Sequence, residues 1–179
     1  MDMISKAFEK LEKKGTLVYL EDLSQEDRDL IEEGGDSYYL PWDISFKDDS
    51  VSTPARPTFD SSATTSSGFS LNSLLAVGIP DLAVLLKILL EWTMGPEAMA
   101  GDISQFYCSV LLKKCHWKYQ RIIIREGLKI NGRIKEAVIT KLIFGVSSSS
   151  SQCEEAVKDQ AERNKESNAA VSKLSLIHI

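Results

Sequence analysis

Residues 97–110 read EAMAGDISQFYCSV and hold the feature that most constrains the fold, an apolar run that ends at the carboxylate of Asp102. An aromatic residue, Tyr107, follows shortly after it. Burying an ionised carboxylate at the end of a strand is costly unless the group is paired or hydrogen-bonded. The pattern therefore has two interpretations: an ordinary aspartate where a strand meets a loop, or an oxygen ligand to a hard divalent cation.

Length and composition are those of a soluble globular protein. The 179 residues are 43% hydrophobic and 26% charged, enough for one domain or part of a larger one. Three cysteines without C-x-x-C spacing argue against a disulfide framework or a zinc site. The N-terminus is charged from Asp2 onward, so no signal peptide is expected. The most apolar stretch, residues 71–92, is interrupted by Pro80-Asp81 and Lys87, which favours a buried helix over a membrane span.

Charge is distributed unevenly along the chain, although the net charge is −5. Residues 1–60 carry seven basic and fifteen acidic side chains, whereas residues 101–145 carry nine basic and three acidic ones. A basic block beside an acidic N-terminal lobe predicts a phosphate-facing surface. A solvated basic face without a partner is the alternative.

The N-terminal third is predicted to form short helices and strands that serve packing. Hydrophobic spacing predicts a helix over residues 4–14, ended by Gly15. A short strand is expected over residues 16–20. Ser24 is placed to cap a second helix over residues 25–33.

A β-hairpin is predicted next in the chain. Residues 38–46 alternate like a strand, and Pro41 places that strand at an edge. A turn rich in Asp and Ser covers residues 47–54, and residues 55–61 return as the second strand. Residues 61–70 are polar and low in complexity, which predicts a loop.

The second half of the chain is predicted to alternate between helices and strands. A helix over residues 81–92 has a broad apolar face and is expected to be core. Asn131-Gly132 is a hairpin signal between two segments rich in β-branched residues. The remaining expected elements are a central strand over 97–103, β segments over 117–124 and 128–143, and a helix over 152–166.

Four segments carry a resemblance to a known family through their order and spacing. They are YYLPWDISFKDDSVSTPARPTFDSSATTSSGFSLNSLLAVG (38–78), EAMAGDISQFYCSV (97–110), YQRIIIRE (119–126) and KLIFGVSSSSSQCEEA (141–156). Together they resemble the reverse transcriptase of LTR retrotransposons, most closely the BEL/Pao group, over residues 8–164. The resemblance implies an α+β fold: right-hand polymerase fingers plus a partial palm, with an incomplete antiparallel sheet and packed helices.

The resemblance also implies a division of the chain. Its parts are N-terminal helices and a fingers hairpin (1–79), a first palm segment with the catalytic strand (80–112), a second fingers segment (113–148) and a palm helix (149–173). Because half of the palm sheet would be missing, an unpaired strand edge, exposed apolar surface and poor solubility are expected.

By this resemblance Asp102 is a catalytic aspartate and a ligand to two Mg²⁺ ions of the complete enzyme, and the carbonyl of Ile103 assists with one of them. The implied reaction is RNA-directed DNA polymerisation, in which a primer hydroxyl attacks the α-phosphate of a dNTP. The implied partners are an RNA or DNA template with its primer and a dNTP, with no membrane. The implied location is cytoplasmic, in a retroelement particle for the parent element.

Four further residues are implied to bind the nucleotide. Arg56 matches the arginine that grips the triphosphate, a role suited to a planar guanidinium, and Lys47 is a second phosphate candidate. Tyr107 matches the aromatic steric gate against a ribose hydroxyl, and Gly145 allows close backbone approach to a ligand. An exposed strand arginine and a core aromatic are the structural alternatives for Arg56 and Tyr107.

The chain departs from the family pattern at two places. Pro57 and Thr58 stand where the family has two valines, and proline removes a backbone donor beside Arg56. The run of serines at 147–151 lacks the proline of the family's Ser-Ser-Pro. The Gln120-Arg121 pair matches the family and is interpreted as structural.

The family's second catalytic motif, Tyr-x-Asp-Asp, would fall near residue 175, where the sequence reads LSLIHI. That hexapeptide matches a translated sequencing adapter, so residues 174–179 are expected to be adapter-derived and the coding sequence to be cut before the motif. The chain is therefore expected to be inactive as it stands. Two alternatives from other classes are a non-enzymatic α+β interaction module and a nucleic-acid-binding remnant.

Overall fold

A computed structural model describes residues 3–47, 54–78, 82–94 and 103–164, which form a mixture of helices and antiparallel strands. The α+β class is confirmed. The helices are α1 (Met3–Lys13), α2 (Gln25–Glu32), α3 (Leu71–Leu74), α4 (Leu82–Met94) and α5 (Ser149–Arg163). The strands are β1 (Leu17–Tyr19), β2 (Trp42–Phe46), β3 (Ala55–Phe59), β4 (Arg121–Arg125) and β5 (Ile134–Ile139). Three-ten turns cover Leu20–Asp22, Tyr107–Ser109, Lys114–Gln120 and Glu126–Leu128.

The N-terminal helices follow the sequence pattern closely. Helix α1 buries Phe8 and stops just before Gly15. Helix α2 begins after Ser24, whose Oγ accepts a hydrogen bond from the backbone N–H of Asp27 at 3.1 Å. A serine cap satisfies one of the N–H groups that a helix start leaves without a partner. Both predicted helices are therefore confirmed to within about two residues at their ends.

A three-stranded antiparallel sheet in the order β1-β5-β4 forms the centre of the fold. Its register pairs Leu17 with Ile139 and Arg121 with Val138. Strand β5 lies in the middle, so Ala137, Val138 and Ile139 are fully buried. The sheet thus joins a strand from the N-terminal lobe to two strands from the basic block.

The predicted hairpin forms from β2 and β3, with Pro57 paired opposite Ile44. The Lys47 N–H donates to the Pro54 carbonyl, and the Asp60 N–H donates to the Pro41 carbonyl. Hydrogen-bonded and non-hydrogen-bonded pairs alternate along an antiparallel ladder. Pro57 therefore occupies a non-hydrogen-bonded pair, where its missing N–H removes nothing from the ladder. The departure from the family pattern leaves the hairpin intact.

Trp42 ties this hairpin to the sheet. Its indole N–H donates to the carbonyl of Ile123 in β4 at 2.8 Å, and its ring meets Phe8 edge-on with centroids 4.9 Å apart. The bond covers part of the outer edge of β4, and a parallel bridge between Tyr39 and Arg121 covers more. The main core contains buried side chains from α1, the three-stranded sheet, α3 and the segments before β2 and after β5: Phe8, Leu17, Tyr38, Leu40, Leu71, Ile122, Ile124, Ala137, Ile139 and Ile143.

Several predicted strand limits were too wide. The first hairpin strand begins at Trp42 rather than at residue 38, because Tyr38 and Leu40 bond to the backbone next to β4 instead. The segment predicted as a strand over 117–124 is a three-ten helix up to Gln120 and a strand only from Arg121.

The connection between β4 and β5 is longer than the Asn131-Gly132 signal predicts. Left-handed backbone occurs at Gly127 and Leu128, not at Asn131 or Gly132. Gly132 is required for a different reason, since a Cβ there would lie 2.3 Å from the carbonyl oxygen of Glu126. The pattern identified the hairpin correctly but not the residues that turn the chain.

Helix α4 departs from its predicted role as core. Leu86 is 63% exposed, and Leu89, Leu90 and Met94 are also exposed. Exposed apolar surface was expected on the strand that ends at Asp102, which lies outside the described residues, so its presence on this helix does not test that expectation. No helix in the described part of the chain is long and apolar enough to cross a membrane.

Helix α5 begins earlier than predicted, and its N-cap residue, Ser148, makes no capping bond with its side chain. The serine run therefore forms the first turn of the helix. The predicted central strand over residues 97–103 falls almost entirely outside the described residues, and Ile103 is not in a strand.

Candidate functional site

Asn72 joins two of the sequence motifs that lie far apart in the chain. Its Nδ2 donates to the carbonyl of Gly145 at 2.8 Å and to Ser62 Oγ at 2.9 Å. Its Oδ1 accepts from the backbone N–H of Ser147 at 2.8 Å. The Asn72 side chain thus bonds to a backbone carbonyl and to a backbone N–H of the turn that follows Phe144.

The position of Asn72 is fixed by the local structure of α3. Ser70 caps this helix, and its Oγ accepts from the N–H of Ser73 while the Ser73 hydroxyl oxygen accepts from the N–H of Ser70. This reciprocal capping arrangement satisfies two backbone donors at the helix start. Leu71 is buried in the core, so Asn72 projects from an anchored turn.

Gly145 brings the Phe-Gly turn against the hairpin. Its φ is +96°, and a Cβ there would lie 2.6 Å from the carbonyl oxygen of Phe59 at the end of β3. Only glycine accepts both that backbone conformation and that approach. The turn therefore lies against the strand that carries Arg56.

Tyr107 lies next to the same turn. Its ring packs on the ring of Phe144 with centroids 4.3 Å apart and an interplanar angle of 57°, and the Phe106 centroid is 6.2 Å away. Tyr107 is partly buried, whereas Phe144 is 69% exposed. The tyrosine is therefore at the edge of the protein interior, with an exposed aromatic beside it.

Arg56 and Lys47 share one face of the hairpin. Arg56 pairs with Ser45. Lys47 follows directly after β2, two positions beyond Ser45, and its N–H continues the ladder by donating to the Pro54 carbonyl, so its side chain lies on the same side as Ser45. Both are exposed. Such diagonal neighbours across an antiparallel pair lie about 7–8 Å apart, which suits two basic groups acting on one polyphosphate.

Asp102 lies outside the described residues, so its surroundings are not assigned. The chain that follows it is held at two places. The Lys14 ammonium donates to the side-chain oxygen of Gln105, a residue with φ +56°. Further on, Leu112 N–H donates to the Thr140 carbonyl at 2.9 Å and Leu142 N–H to the Val110 carbonyl at 3.0 Å.

The implied magnesium site centres on Asp102 and therefore lies outside the described residues. Within 3–47, 54–78, 82–94 and 103–164, no three side chains of His, Cys, Asp or Glu are grouped closely enough to hold a metal ion. Ile103, the implied carbonyl ligand, is 41% exposed. A two-metal reaction needs several carboxylates around both ions, so no reaction step is assigned to these residues.

The cysteines are free thiols without a nucleophilic arrangement. Burial raises the pKa of the Cys108 thiol, although Lys141 and Lys14 act in the opposite direction. Burial also raises the pKa of Cys153. Both thiols therefore stay protonated near neutral pH, and Cys115 is the exposed one.

Gln120 and Arg121 have structural contacts, in line with their interpretation from sequence. The Gln120 amide is buried and donates to the carbonyls of Ile139 and Lys141 at 3.2 and 3.1 Å. Arg121 lies over the Tyr39 ring at 5.7 Å, and its guanidinium reaches Glu32 at 3.7 Å. The pair fixes the start of β4 against its neighbours.

The structure thus groups Tyr107 and Gly145, and it places Gly145 against the strand of Arg56. Sequence analysis did not single out Asn72, although it lies in segment 38–78, one of the four that carry the resemblance. Comparison of the sequence with protein-family models and with curated proteins found no match.

Proposed function

We propose that this chain is the fingers and first palm segment of an RNA-directed DNA polymerase of the LTR-retrotransposon kind. By itself it binds nucleotide and primer–template without catalysing polymerisation. The observation that carries the proposal is the Asn72–Gly145 hydrogen bond. It joins two segments of the resemblance, 38–78 and 141–156, that nothing in their sequence spacing requires to meet.

The arrangement around that bond supports nucleotide binding. Arg56 and Lys47 share an exposed hairpin face, and guanidinium and ammonium groups bind phosphate oxygens with charge-assisted hydrogen bonds. Tyr107 supplies a flat, partly exposed ring beside the Phe-Gly turn. A basic face and an aromatic ring are groups of the kind that contact the phosphates and the nucleoside of a nucleotide.

Catalysis is not expected from the chain as it stands. Its sequence contains no Tyr-x-Asp-Asp, and the described residues contain no group of metal ligands. Primer extension with oligo(dT) on poly(A), dTTP and Mg²⁺ should therefore give no product above background. Measurable incorporation by the 179-residue chain would refute this part of the proposal.

Nucleotide binding is the positive test. Titration of the protein with a fluorescent dNTP should show binding that Arg56→Ala weakens by about tenfold, the loss expected for a charge-assisted phosphate contact. Arg125→Ala is the matched control, since Arg125 is an exposed arginine in the other hairpin. Equal affinities of the two variants, or no nucleotide binding at all, would contradict the assignment.

One observation favours a second function, a protein-interaction module. The apolar side of α4 was predicted to be buried in the core, but it is exposed at Leu86, Leu89 and Leu90. An exposed apolar patch of this kind is typical of a protein-interaction surface. If the chain is a protein-interaction module, nucleotide binding should be at background in both the parent chain and Leu86→Lys. Protein association, measured by sedimentation, should be abolished by Leu86→Lys. Under the polymerase assignment, nucleotide binding persists in this variant.

A further inference from the structure

The three-ten helix Lys114–Gln120, with Lys113 as its N-cap, presents a regular row of side chains. Residues three positions apart eclipse one another in a three-ten helix and rise about 6 Å per step. Lys113, His116 and Tyr119 therefore form one line, which we call the aromatic–basic ridge.

The opposite side of this helix anchors it and turns the ridge outward. Trp117 and Gln120 are buried. The Trp117 indole donates to the Leu112 carbonyl at 3.2 Å, and the Gln120 amide donates to the carbonyl of Ile139. With that side fixed in the core, Lys113, His116 and Tyr119 are all exposed.

The two rings of the ridge do not cover each other. The His116 and Tyr119 centroids are 6.5 Å apart with an interplanar angle of 44°, so each ring keeps a face for another planar group. The Lys118 ammonium lies 5.3 Å from the Tyr119 centroid and adds positive charge next to that ring.

Helix α2 packs beside this segment, and two of its acidic side chains pair with basic groups of the segment. Asp27 holds Lys114 at 2.7 Å, and Glu32 reaches Arg121 at 3.7 Å. Lys118 donates to the Glu33 carbonyl at the end of α2. Lys113 has no acidic partner among the described residues, so its charge remains available to an anionic ligand.

We propose that the aromatic–basic ridge binds single-stranded nucleic acid by stacking unpaired bases on Tyr119 and His116, with phosphates on Lys113 and Lys118. Every base offers a π-face to an aromatic ring, and alternating basic groups follow the backbone. A duplex hides those faces within its own stack. This surface rests on the primer–template binding of the proposed function and gives it a location, but it needs neither Arg56 nor a nucleotide.

The test is fluorescence anisotropy with labelled oligo(dT) and oligo(U) of about 12 nucleotides, within the usual site size for such surfaces. Tyr119→Ala should weaken binding about tenfold, while Tyr119→Phe, which keeps the ring, should bind like the parent chain. Lys129→Ala removes an exposed lysine elsewhere in the basic block and is the charge control. Circular dichroism of each variant checks that the fold is kept.

Several outcomes would overturn the proposal: unchanged binding by Tyr119→Ala, equal losses in Tyr119→Ala and Lys129→Ala, or preference for a duplex of the same length. Photocrosslinking with a 5-iodouracil oligonucleotide gives an independent readout, with adducts expected on His116 or Tyr119. Adducts only on other residues would contradict the proposal. Failure here leaves the Arg56-dependent nucleotide test unaffected, so the two proposals are separately falsifiable.

Discussion

Asn72 and Gly145 are joined by a hydrogen bond of 2.8 Å from the side-chain amide to the backbone carbonyl. The same side chain accepts from the N–H of Ser147 and donates to Ser62. One residue of the α3 turn thereby fixes the backbone of the Phe-Gly turn, which in turn lies against β3.

The first prediction concerns the stability that Asn72 contributes. Asn72→Ala removes three side-chain hydrogen bonds and should lower the free energy of unfolding by about 3 kcal/mol, since each bond is worth about 1 kcal/mol net. Urea unfolding measures the change. Asn131→Ala, an exposed asparagine in the β4–β5 connection, should stay within about 0.5 kcal/mol of the parent. Equal effects would mean that the Asn72 contacts carry no net stability.

The second prediction separates the two reasons for glycine at position 145. Gly145→Ala must adopt a left-handed backbone and also displace the Phe59 carbonyl. Gly68→Ala meets only the first problem, since its φ is +82° and nothing lies near its Cβ position. The left-handed conformation costs about 1–2 kcal/mol, so Gly145→Ala should destabilise the protein measurably more than Gly68→Ala. Equal urea midpoints would argue against the close approach.

The third prediction uses the hairpin register. Pro57→Val should change the free energy of unfolding by less than about 1 kcal/mol, because position 57 contributes no N–H to the ladder. Thr58→Pro should cost about 3 kcal/mol, because Thr58 lies in a hydrogen-bonded pair with Asp43. A reversed order of the two effects would show that the register is shifted by one residue.

The fourth prediction concerns sugar discrimination by Tyr107. If its ring contacts the nucleotide sugar, Tyr107→Ala should narrow the preference for dATP over ATP by about tenfold, or about 1.4 kcal/mol. Competition against a fluorescent dNTP gives both affinities. Tyr119→Ala provides the comparison variant, since that ring lies on the three-ten helix Lys114–Gln120 and packs near His116. An unchanged ratio in Tyr107→Ala would leave Tyr107 as a packing residue.

The fifth prediction is a loss of stability at alkaline pH. Burial, and next the hydrogen bond to Glu12 at 2.8 Å, raise the pKa of the Tyr19 phenol above its ordinary value. The folded state therefore keeps a proton that the unfolded chain releases above about pH 10. The contribution of Tyr19 is complete below that pH and is lost as pH rises further. Urea midpoints from about pH 9 to 11 should fall less steeply for Tyr19→Phe than for the parent or for Tyr119→Phe.

Local signals predicted the elements that local chemistry decides. The Ser24 cap and the stop before Gly15 depend on neighbours within one turn, so the sequence indicated them well. The limits of β2 were harder, because Tyr38 and Leu40 bond to a segment that lies far along the chain.

The candidate site was predictable in its parts but not in its connections. The resemblance named Arg56, Tyr107 and Gly145, whereas the role of Asn72 depends on a contact between distant segments that no periodicity records. The exposure of α4 also depends on distant segments of the chain. A run of leucines specifies an apolar face, but not whether another element covers it.

The indole of Trp42 has a mechanical consequence for the hairpin. Its bond to the Ile123 carbonyl and its edge-on contact with Phe8 clamp the base of β2 to the central sheet and to α1. These contacts resist rotation of the whole hairpin about the base of β2. We expect bending to occur nearer the turn of the hairpin, where Lys47 and Arg56 lie. We therefore expect the free end of the hairpin to move by bending of its two strands rather than by rotation about the base of β2.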